Sequence, residues 1–498
     1  MSTRRRERLV VVGNGMAGGR FVEDLLARDG ADRYAITIFG DEPQGNYNRI
    51  LLSSVLAGHH LPADIVINPL SWYAAHGVTL YAGVRVESID LVGRRVLGAG
   101  GVAEDYDTLV LATGSHPIVP RMEGLEAADG AFKDGVFVFR TIADCHRILA
   151  FAEDARRAVV IGGGLLGLEA ARGLCGRGLE VHVVHLMAHL METQLDPAAA
   201  LILQRQLEGV GLQTHFEKLT TAVLGNGHVT GVQFKDGGHL DCDMVVLSVG
   251  IRPNVDLAAR AGLQVKRGIV VGDDLACVNA PGVYAIGECA EHRGQVYGLV
   301  APIWEQTPVL ADRLSGRNPH ASYSGSRTST KLKVAGVDVA VMGSKEPMEA
   351  DDEVVCYVEP RRGVYKKLIV RGNHLIGAIV MGDGAIVPSL LQAFGDCAPL
   401  AANRSELLFP LAFDAAPLSV GRLPDSAQIC DCNAVSKATI VHTILEGARG
   451  VDAVCDATRA GTGCGSCRPQ IQELVDFVCR GLDSSESKLD LGLSQECA

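Results

Sequence analysis

Four cysteines in the last seventy residues stand in two tight pairs, Cys430-Asp431-Cys432 and Cys464-Gly465-Ser466-Cys467. Four thiolates at this spacing form the soft donor set that iron–sulfur clusters demand and that structural zinc also accepts. Glycines at 461, 463 and 465 free the backbone to wrap closely around a bulky inorganic centre. The stretch between the pairs reads as two short helices, 437–444 and 451–458, a hairpin that returns the second pair to the first. Four unrelated core thiols are the bland alternative. A second constellation is built of glycine. Gly13-Asn14-Gly15-Met16-Ala17-Gly18 follows the apolar run Leu9–Val12, and Gly162-Gly163-Gly164-Leu165-Leu166-Gly167 follows Ala158–Ile161. In each loop the first glycine permits a tight turn and the second lets the backbone approach a pyrophosphate. The third lets helix and strand pack closely, and the helix start favours negative charge. One such loop is weak, because it is often a mere turn; two, each behind an apolar strand, imply two bound dinucleotides.

The loops need elements around them. Helical segments at 19–27 and 168–177 and further strands at 34–39 and 180–184 complete two strand–loop–helix–strand units. At the far end of the second strand an acid should meet a ribose hydroxyl; Asp41 and Glu42 occupy that end, and Glu42 is preferred. The matching position behind the second loop is His185, neither the carboxylate that binds a free 2′-hydroxyl nor the arginine that receives a 2′-phosphate. No arginine follows in 186–189, which leans towards NADH over NADPH. Two more strands end in turns: Tyr106–Ala112 breaks at Thr113-Gly114, and Pro281–Ile286 breaks at Gly287-Glu288. An acid at such a helix start can bind a cofactor hydroxyl.

Composition bounds the rest. A chain of 498 residues, 47% hydrophobic and 21% charged, is long enough for two to four globular domains. The net charge of -12 lacks the basic footprint of a nucleic-acid binder. No apolar run approaches a membrane span. The basic start, with Arg4, Arg5, Arg6 and Arg8, precedes an apolar stretch too short for a signal peptide, so the protein is expected in the cytoplasm. Of the 14 cysteines, those scattered singly, such as Cys145 and Cys242, read as small buried hydrophobes.

The words around these residues carry a resemblance. Cys430-Asp-Cys432-Asn-Ala-Val-Ser and Ala460-Gly-Thr-Gly-Cys464-Gly-Ser-Cys467 resemble the bacterioferritin-associated-ferredoxin type of [2Fe–2S] domain over about residues 425–480. That resemblance implies Cys430, Cys432, Cys464 and Cys467 as ligands of a [2Fe–2S] cluster, ahead of zinc. The two loops, with Thr113-Gly114, Val249-Gly250-Ile-Arg-Pro253-Asn254 and Gly287-Glu288, resemble the two-dinucleotide flavoprotein reductases over about residues 8–310. Gly40 to Ser54, Leu190 to Asp196, Gly287-Glu-Cys289 and Trp304-Glu-Gln306 resemble one branch more closely. It comprises the flavin half of NAD(P)H-dependent nitrite reductases and the subunits that deliver electrons to assimilatory nitrate reductase.

This resemblance implies an α/β fold: two Rossmann-like, glutathione-reductase-like domains, a small α+β interface domain and a small helical [2Fe–2S] domain. Domains are expected at 1–118 with 245–322 for FAD, 119–244 for NAD(P)H, 323–415 for the interface domain and 428–480 for the cluster. A linker at 416–427 and a flexible tail at 481–498 complete the chain. The implied FAD site takes Gly13, Gly15, Ala17, Gly18, Glu42, Arg49 and Val86, then Ala112, Thr113, Gly114, Gly287 and Glu288. The implied NAD(P)H site takes Gly162, Gly164, Leu165, Leu166, Gly167, Glu169, His185 and Gly250. No catalytic residue is certain. Glu169, an acid near the nicotinamide in the family, and Trp304, over the flavin region, are the candidates, against solvated-helix and plain-core readings. Related ferredoxin reductases usually carry a lysine where Ser54 stands, which removes one expected flavin contact.

The implied activity is a reductase that passes electrons from NADH through FAD and the cluster to a protein partner. The expected partner is a molybdenum nitrate reductase subunit. Alternatives keep the chemistry but change the partner, to sirohaem nitrite reductase, a ferredoxin or rubredoxin, or an oxygenase. Another makes the cluster domain a docking or iron-sensing module off the electron path. A disulfide reductase is excluded, since no cysteine precedes Cys145. A complete nitrite reductase is not expected either, because the residues beyond Cys467 leave no room for a sirohaem domain.

Overall fold

The computed structural model of the chain describes residues 5–127, 129–334, 336–400, 402–409, 420–430, 432–463 and 465–483. Two compact units emerge, residues 1–193 with 204–328, and residues 194–203 with 329–498. The first unit alternates short strands of Val, Ile and Leu with helices, the pattern of sheets buried on both faces. It opens with β1 (Glu7–Val12), α1 (Met16–Leu26), β2 (Tyr34–Gly40), β3 (Thr79–Ala82) and β4 (Thr108–Leu111). Next come β5 (Val136–Val138), β6 (Arg157–Ile161), α2 (Leu165–Gly176), β7 (Glu180–Val184), β8 (Leu212–His215) and β9 (Met244–Leu247). It closes with β10 (Val283–Ala285) and α3 (Ala301–Ser315).

These strands make two parallel five-stranded sheets, β10-β4-β1-β2-β3 and β5-β9-β6-β7-β8. Each places its loop-bearing strand, β1 or β6, between neighbours that lead away in opposite directions. That reversal opens the crevice at the strands' carboxyl ends where such sheets bind ligands. Leu9, Val10 and Val11 of β1 are fully buried, as are Ala158, Val159 and Val160 of β6. Burying each Val or Leu side chain contributes roughly 1.5–3 kcal/mol, which anchors the loops that follow. Both helices start earlier than the sequence pattern indicates, directly after the second glycine of each loop. The third glycine therefore lies inside the first helical turn.

The second unit opens its sheet with β11 (Ser329–Val334) and β12 (Val337–Gly343). β13 (Glu353–Glu359), β14 (Val364–Arg371) and β15 (His374–Met381) complete it, in the antiparallel order β11-β12-β15-β14-β13. α4 (Val387–Gly395) covers one face, packing Leu390 and Phe394 with Ala340, Met342 and Leu368. A small helical module follows, with α5 (Lys437–Leu445), α6 (Val451–Thr458) and α7 (Arg468–Asp483). Ile440, Ile444, Val454, Ile471, Leu474 and Val478 are among its buried apolar residues.

Of the segment read as a linker, 416–419 lie outside the described residues and the remainder is not free chain. Val420 and Leu423 are buried, the Val420 N–H donates to Glu473 Oε1 at 2.9 Å, and Lys437 Nζ donates to the Leu423 carbonyl at 2.7 Å. Residues 484–498 of the expected tail also lie outside the described residues. Among the described residues no helix is long and apolar enough to cross a membrane.

Candidate functional site

The first cradle is made by three glycines with three jobs. At Gly13 the backbone turns with φ +113°, and a Cβ there would sit 2.2 Å from the Ala112 carbonyl oxygen. Gly18 presses its α-carbon on the loop so closely that a Cβ would lie 1.9 Å from the Gly13 oxygen. Gly15, capping α1, faces open space, with nothing within 4 Å of an added Cβ. A turn, a close contact and an accessible N-terminus are what a pyrophosphate needs. The Gly287 turn closes over the same place. With φ +80°, it stands 2.8 Å, measured from an added Cβ, from the Cβ of Ala17, and its N–H donates to Gln306 Oε1 at 2.7 Å. The structure thus brings Gly13, Gly15, Ala17, Gly18, Ala112 and Gly287 together.

Around this cradle charges are paired. Glu42 accepts from Tyr47 Oη at 2.9 Å and from Arg49 Nη2 at 2.8 Å, and Arg49 Nη1 donates to the Arg140 carbonyl at 2.6 Å. Glu288 forms an ion pair with Arg140 Nη2 and accepts from Ser115 Oγ at 2.6 Å. Thr113 Oγ1 donates to the Asn254 carbonyl at 2.7 Å, and Gly114 accepts the Asn254 N–H at 2.8 Å, which joins the Thr113-Gly114 turn to the segment after β9. Val86 stands in a separate three-stranded sheet and is buried in the same hydrophobic core as Ala17 and Ala112.

Arg140 was not singled out by sequence reasoning. Its Nε is buried without a hydrogen-bond partner, a donor an acceptor on a bound group would satisfy. The available signal was the capping box Thr141–Asp144 directly behind it, which pins the arginine's backbone through a bond from the Arg140 N–H to Asp144 Oδ2 at 3.0 Å. An open cradle, a helix start and an unsatisfied donor fit the anionic, hydroxylated body of FAD.

The second cradle repeats the first. Gly162 has φ +124° and would place a Cβ 2.1 Å from the Ser248 oxygen; Gly167 would meet the Gly162 oxygen at 2.1 Å; Gly164, capping α2, faces open space. Gly250, with φ +116°, accepts the Ile118 N–H at 2.9 Å. His185 is buried behind the loop. Its Nδ1 accepts the Gly163 N–H at 3.1 Å, so its proton sits on Nε2, 2.9 Å from Glu192 Oε2. An imidazole that accepts at one nitrogen and donates at the other carries no positive charge. Beyond it Leu186 and Met187 are exposed, while Leu165, Leu166 and Glu169 are half-buried at the start of α2. The donors and open space at Gly164 fit a dinucleotide here too. Trp304, half-buried on α3, carries the Arg20 guanidinium 5.2 Å above its ring.

In the second unit Cys430, Cys432 and Cys467 line one small recess, with Ile429, Gly465, Ser466 and Lys331. Cys464 lies outside the described residues. Asn433 ties the first pair to the glycine turn, donating to the Arg459 carbonyl at 2.6 Å and Thr462 Oγ1 at 3.2 Å. Among the described residues no three Cys, His, Asp or Glu side chains converge to hold one ion. A two-iron cluster instead shares its thiolates between two metal atoms, and the soft donors here fit it. The remaining thiols behave as core: burial pushes Cys145, Cys242 and Cys277 up to about 12. A fifth thiol of the module, Cys455, is buried and accepts from Arg468 Nη1 at 3.5 Å.

Comparison with known proteins covers all three regions. Residues 7–309 match the family described as pyridine nucleotide-disulphide oxidoreductase, 329–395 the rubredoxin NAD+ reductase C-terminal domain, and 428–476 the BFD-like [2Fe-2S] binding domain. Over 477 residues the chain is 42% identical to the nitrite reductase [NAD(P)H] of Bacillus subtilis, covering 95% of this chain and 58% of that protein. It is 41% identical to the assimilatory nitrate reductase electron transfer subunit of the same organism, covering 95% and 60%. The chain therefore spans about 60% of the length of these curated relatives. Among solved structures, a ferredoxin reductase from Rhodopseudomonas palustris superposes with a TM-score of 0.68 at 28% identity, covering 76% of this chain and 92% of that one.

Proposed function

The chain belongs to the pyridine nucleotide-disulphide oxidoreductase family and is an NAD(P)H-dependent oxidoreductase carrying FAD and a [2Fe–2S] cluster, and we propose that it delivers electrons to the catalytic subunit of an assimilatory nitrate reductase. The observation that carries the reading is the presence, in one chain, of two glycine cradles and a thiol-lined recess. Nicotinamide yields two electrons as a hydride, a [2Fe–2S] centre takes one at a time, and bound FAD supplies the conversion between them.

In this reading the chain's residues bind and orient. The loop Gly13–Gly18 takes the FAD pyrophosphate, Glu42 a ribose hydroxyl and Glu288, aimed by Arg140, the ribityl chain. Gly162–Gly167 takes the NAD(P)H pyrophosphate, with His185 and Glu192 at its ribose end; an uncharged imidazole backed by a carboxylate favours NADH. Glu169 and Trp304 border the reacting rings, and Cys430, Cys432, Cys464 and Cys467 hold the cluster. We place the protein in the cytoplasm, where unpaired thiols persist.

The B. subtilis electron transfer subunit supports the nitrate reductase partner. The 42% identity to a nitrite reductase favours sirohaem nitrite reductase as the second reading. Anaerobic single-turnover mixing with NADH tests the relay: flavin absorbance is expected to bleach first and cluster absorbance after it, and a cluster that never bleaches would sink the relay. Reconstitution with a molybdenum nitrate reductase and, separately, with a sirohaem nitrite reductase decides the partner by which reduction becomes NADH-dependent.

A further inference from the structure

We infer that Lys331, from the interface sheet and outside the cysteine module, is part of the cluster site and sets the cluster's reduction potential. The register pairs Ser329 with Met342 and Lys331 with Ala340. Opposed residues in an antiparallel pair point to one face, and Ala340 and Met342 lie in the sheet's apolar core. A lysine on the core-facing side of an edge strand breaks the alternation that keeps ammonium groups in water. Here the side chain is half-buried and reaches the recess lined by Cys430, Cys432 and Cys467. Among the described residues no carboxylate pairs with it. The other nearby cation, Arg468, is already engaged, with Nη2 on Asp452 and Nη1 on the Cys455 sulfur at 3.5 Å. Lys331 is the one cation among the described residues that line the recess.

The charge has a task there. Two ferric ions, two sulfides and four thiolates sum to a dianion, and accepting one electron makes it a trianion. No bond forms or breaks and no proton is taken up in that step. A fixed ammonium at the rim stabilises the trianion more than the dianion, which raises the potential, because net charge and surroundings set it in such clusters. In a chain of net charge -12, a local cation keeps the cluster reducible by the flavin. The inference rests on the [2Fe–2S] reading of the four cysteines.

The test is an anaerobic redox titration of the full-length holoprotein, followed by electron paramagnetic resonance of the reduced cluster and by flavin absorbance. Lys331→Met is expected to lower the equilibrium constant for cluster reduction about tenfold, ~59 mV for one electron. Lys331→Glu should lower it further, and Lys331→Arg should stay within about twofold of wild type, with the flavin potential unmoved in all three. A loaded Lys331→Met protein within about twofold of wild type overturns the inference, as does an equal shift of the flavin. Should Lys331→Met and Lys331→Glu both lose the cluster, Lys331→Arg decides. Retained iron and sulfide there show that the charge is what the site requires; loss there shows that packing is, and the inference falls. A wild-type protein with no [2Fe–2S] signal after dithionite would instead overturn the cluster reading itself.

Discussion

The two glycine loops of the first unit are near copies with one exchange between them. Arg8 N–H donates to Asp107 at 2.7 Å and Arg157 N–H to Asp243 at 2.9 Å, so each loop strand is clamped at its start by an aspartate leading into the neighbouring strand. Gly13 accordingly abuts Ala112, and Gly162 abuts Ser248. The loops part at the next position. In the first, Gly40 at the strand end leaves room for Asn14 of the loop, whose Cβ would be 3.1 Å from an added Cβ. In the second the glycine is in the loop, Gly163, and the strand end carries His185, with ring carbon Cγ 2.8 Å from an added Cβ. Beyond the first strand end stands an acid, Glu42, inside a paired network with Tyr47 and Arg49. At the second stands the buried His185 ring, held between Gly163 and Glu192 and followed by the exposed Leu186 and Met187. The two loops share one backbone geometry and differ in which position gives up its side chain, the strand end in the first and the loop in the second.

The largest effect that could break this comparison comes from the first glycines. Gly13→Ala and Gly162→Ala each force a Cβ onto a carbonyl oxygen at a φ that side chains rarely adopt. Gly13→Ala is expected to purify without flavin. Gly162→Ala should keep its FAD and its reduction by dithionite while losing reduction by NADH. If either variant loses both properties, the cradles are not independent. Arg140→Met comes next. It leaves Glu288, half-buried, without its ion-pair partner, and FAD affinity should fall about tenfold to hundredfold, by flavin release on dilution.

Smaller still is Glu192→Gln, which removes the charge behind His185. The NADPH-to-NADH ratio of kcat/KM should rise about threefold, the size of one screened charge; an unchanged ratio would mean that His185 acts without Glu192. The smallest concerns the clamps. Hydrogen bonds from Arg8 lower the Asp107 carboxyl to about 2. A folded-state pKa below the unfolded one gives stability that is complete above about pH 4 and lost as pH falls through about 2. Both partners are more than a third exposed, so screening holds the gain to about 1 kcal/mol or less. Thermal melts should show Asp107→Asn slightly less stable at pH 7 and converging with wild type towards pH 2.

Much of this was legible in the sequence because it depends on local chemistry. Glycines after an apolar strand point to a turn wherever the strand lies, and paired cysteines bring thiols together within a few residues. The strands 180–184 and the helices 437–445 and 451–458 follow from patterns contained in short windows. What escaped is non-local. Arg140 meets Glu288 across 148 residues of chain, and nothing beside either one announces the other. The segment 420–427 has the composition of a linker, yet Val420 and Leu423 are buried in it.

By itself, then, the sequence determined the kinds of chemistry: two glycine loops of the anion-cradling type and a soft four-thiol donor set. Those depend on glycine's missing Cβ and on sulfur's affinity, properties that residues carry anywhere. Only the tertiary structure decided which charges face those sites. It set Arg140 against Glu288, Glu192 behind His185 and Lys331 at the rim of the thiols. Electrostatic effects depend on distance and burial, and both are created when strands far apart in the chain are brought side by side.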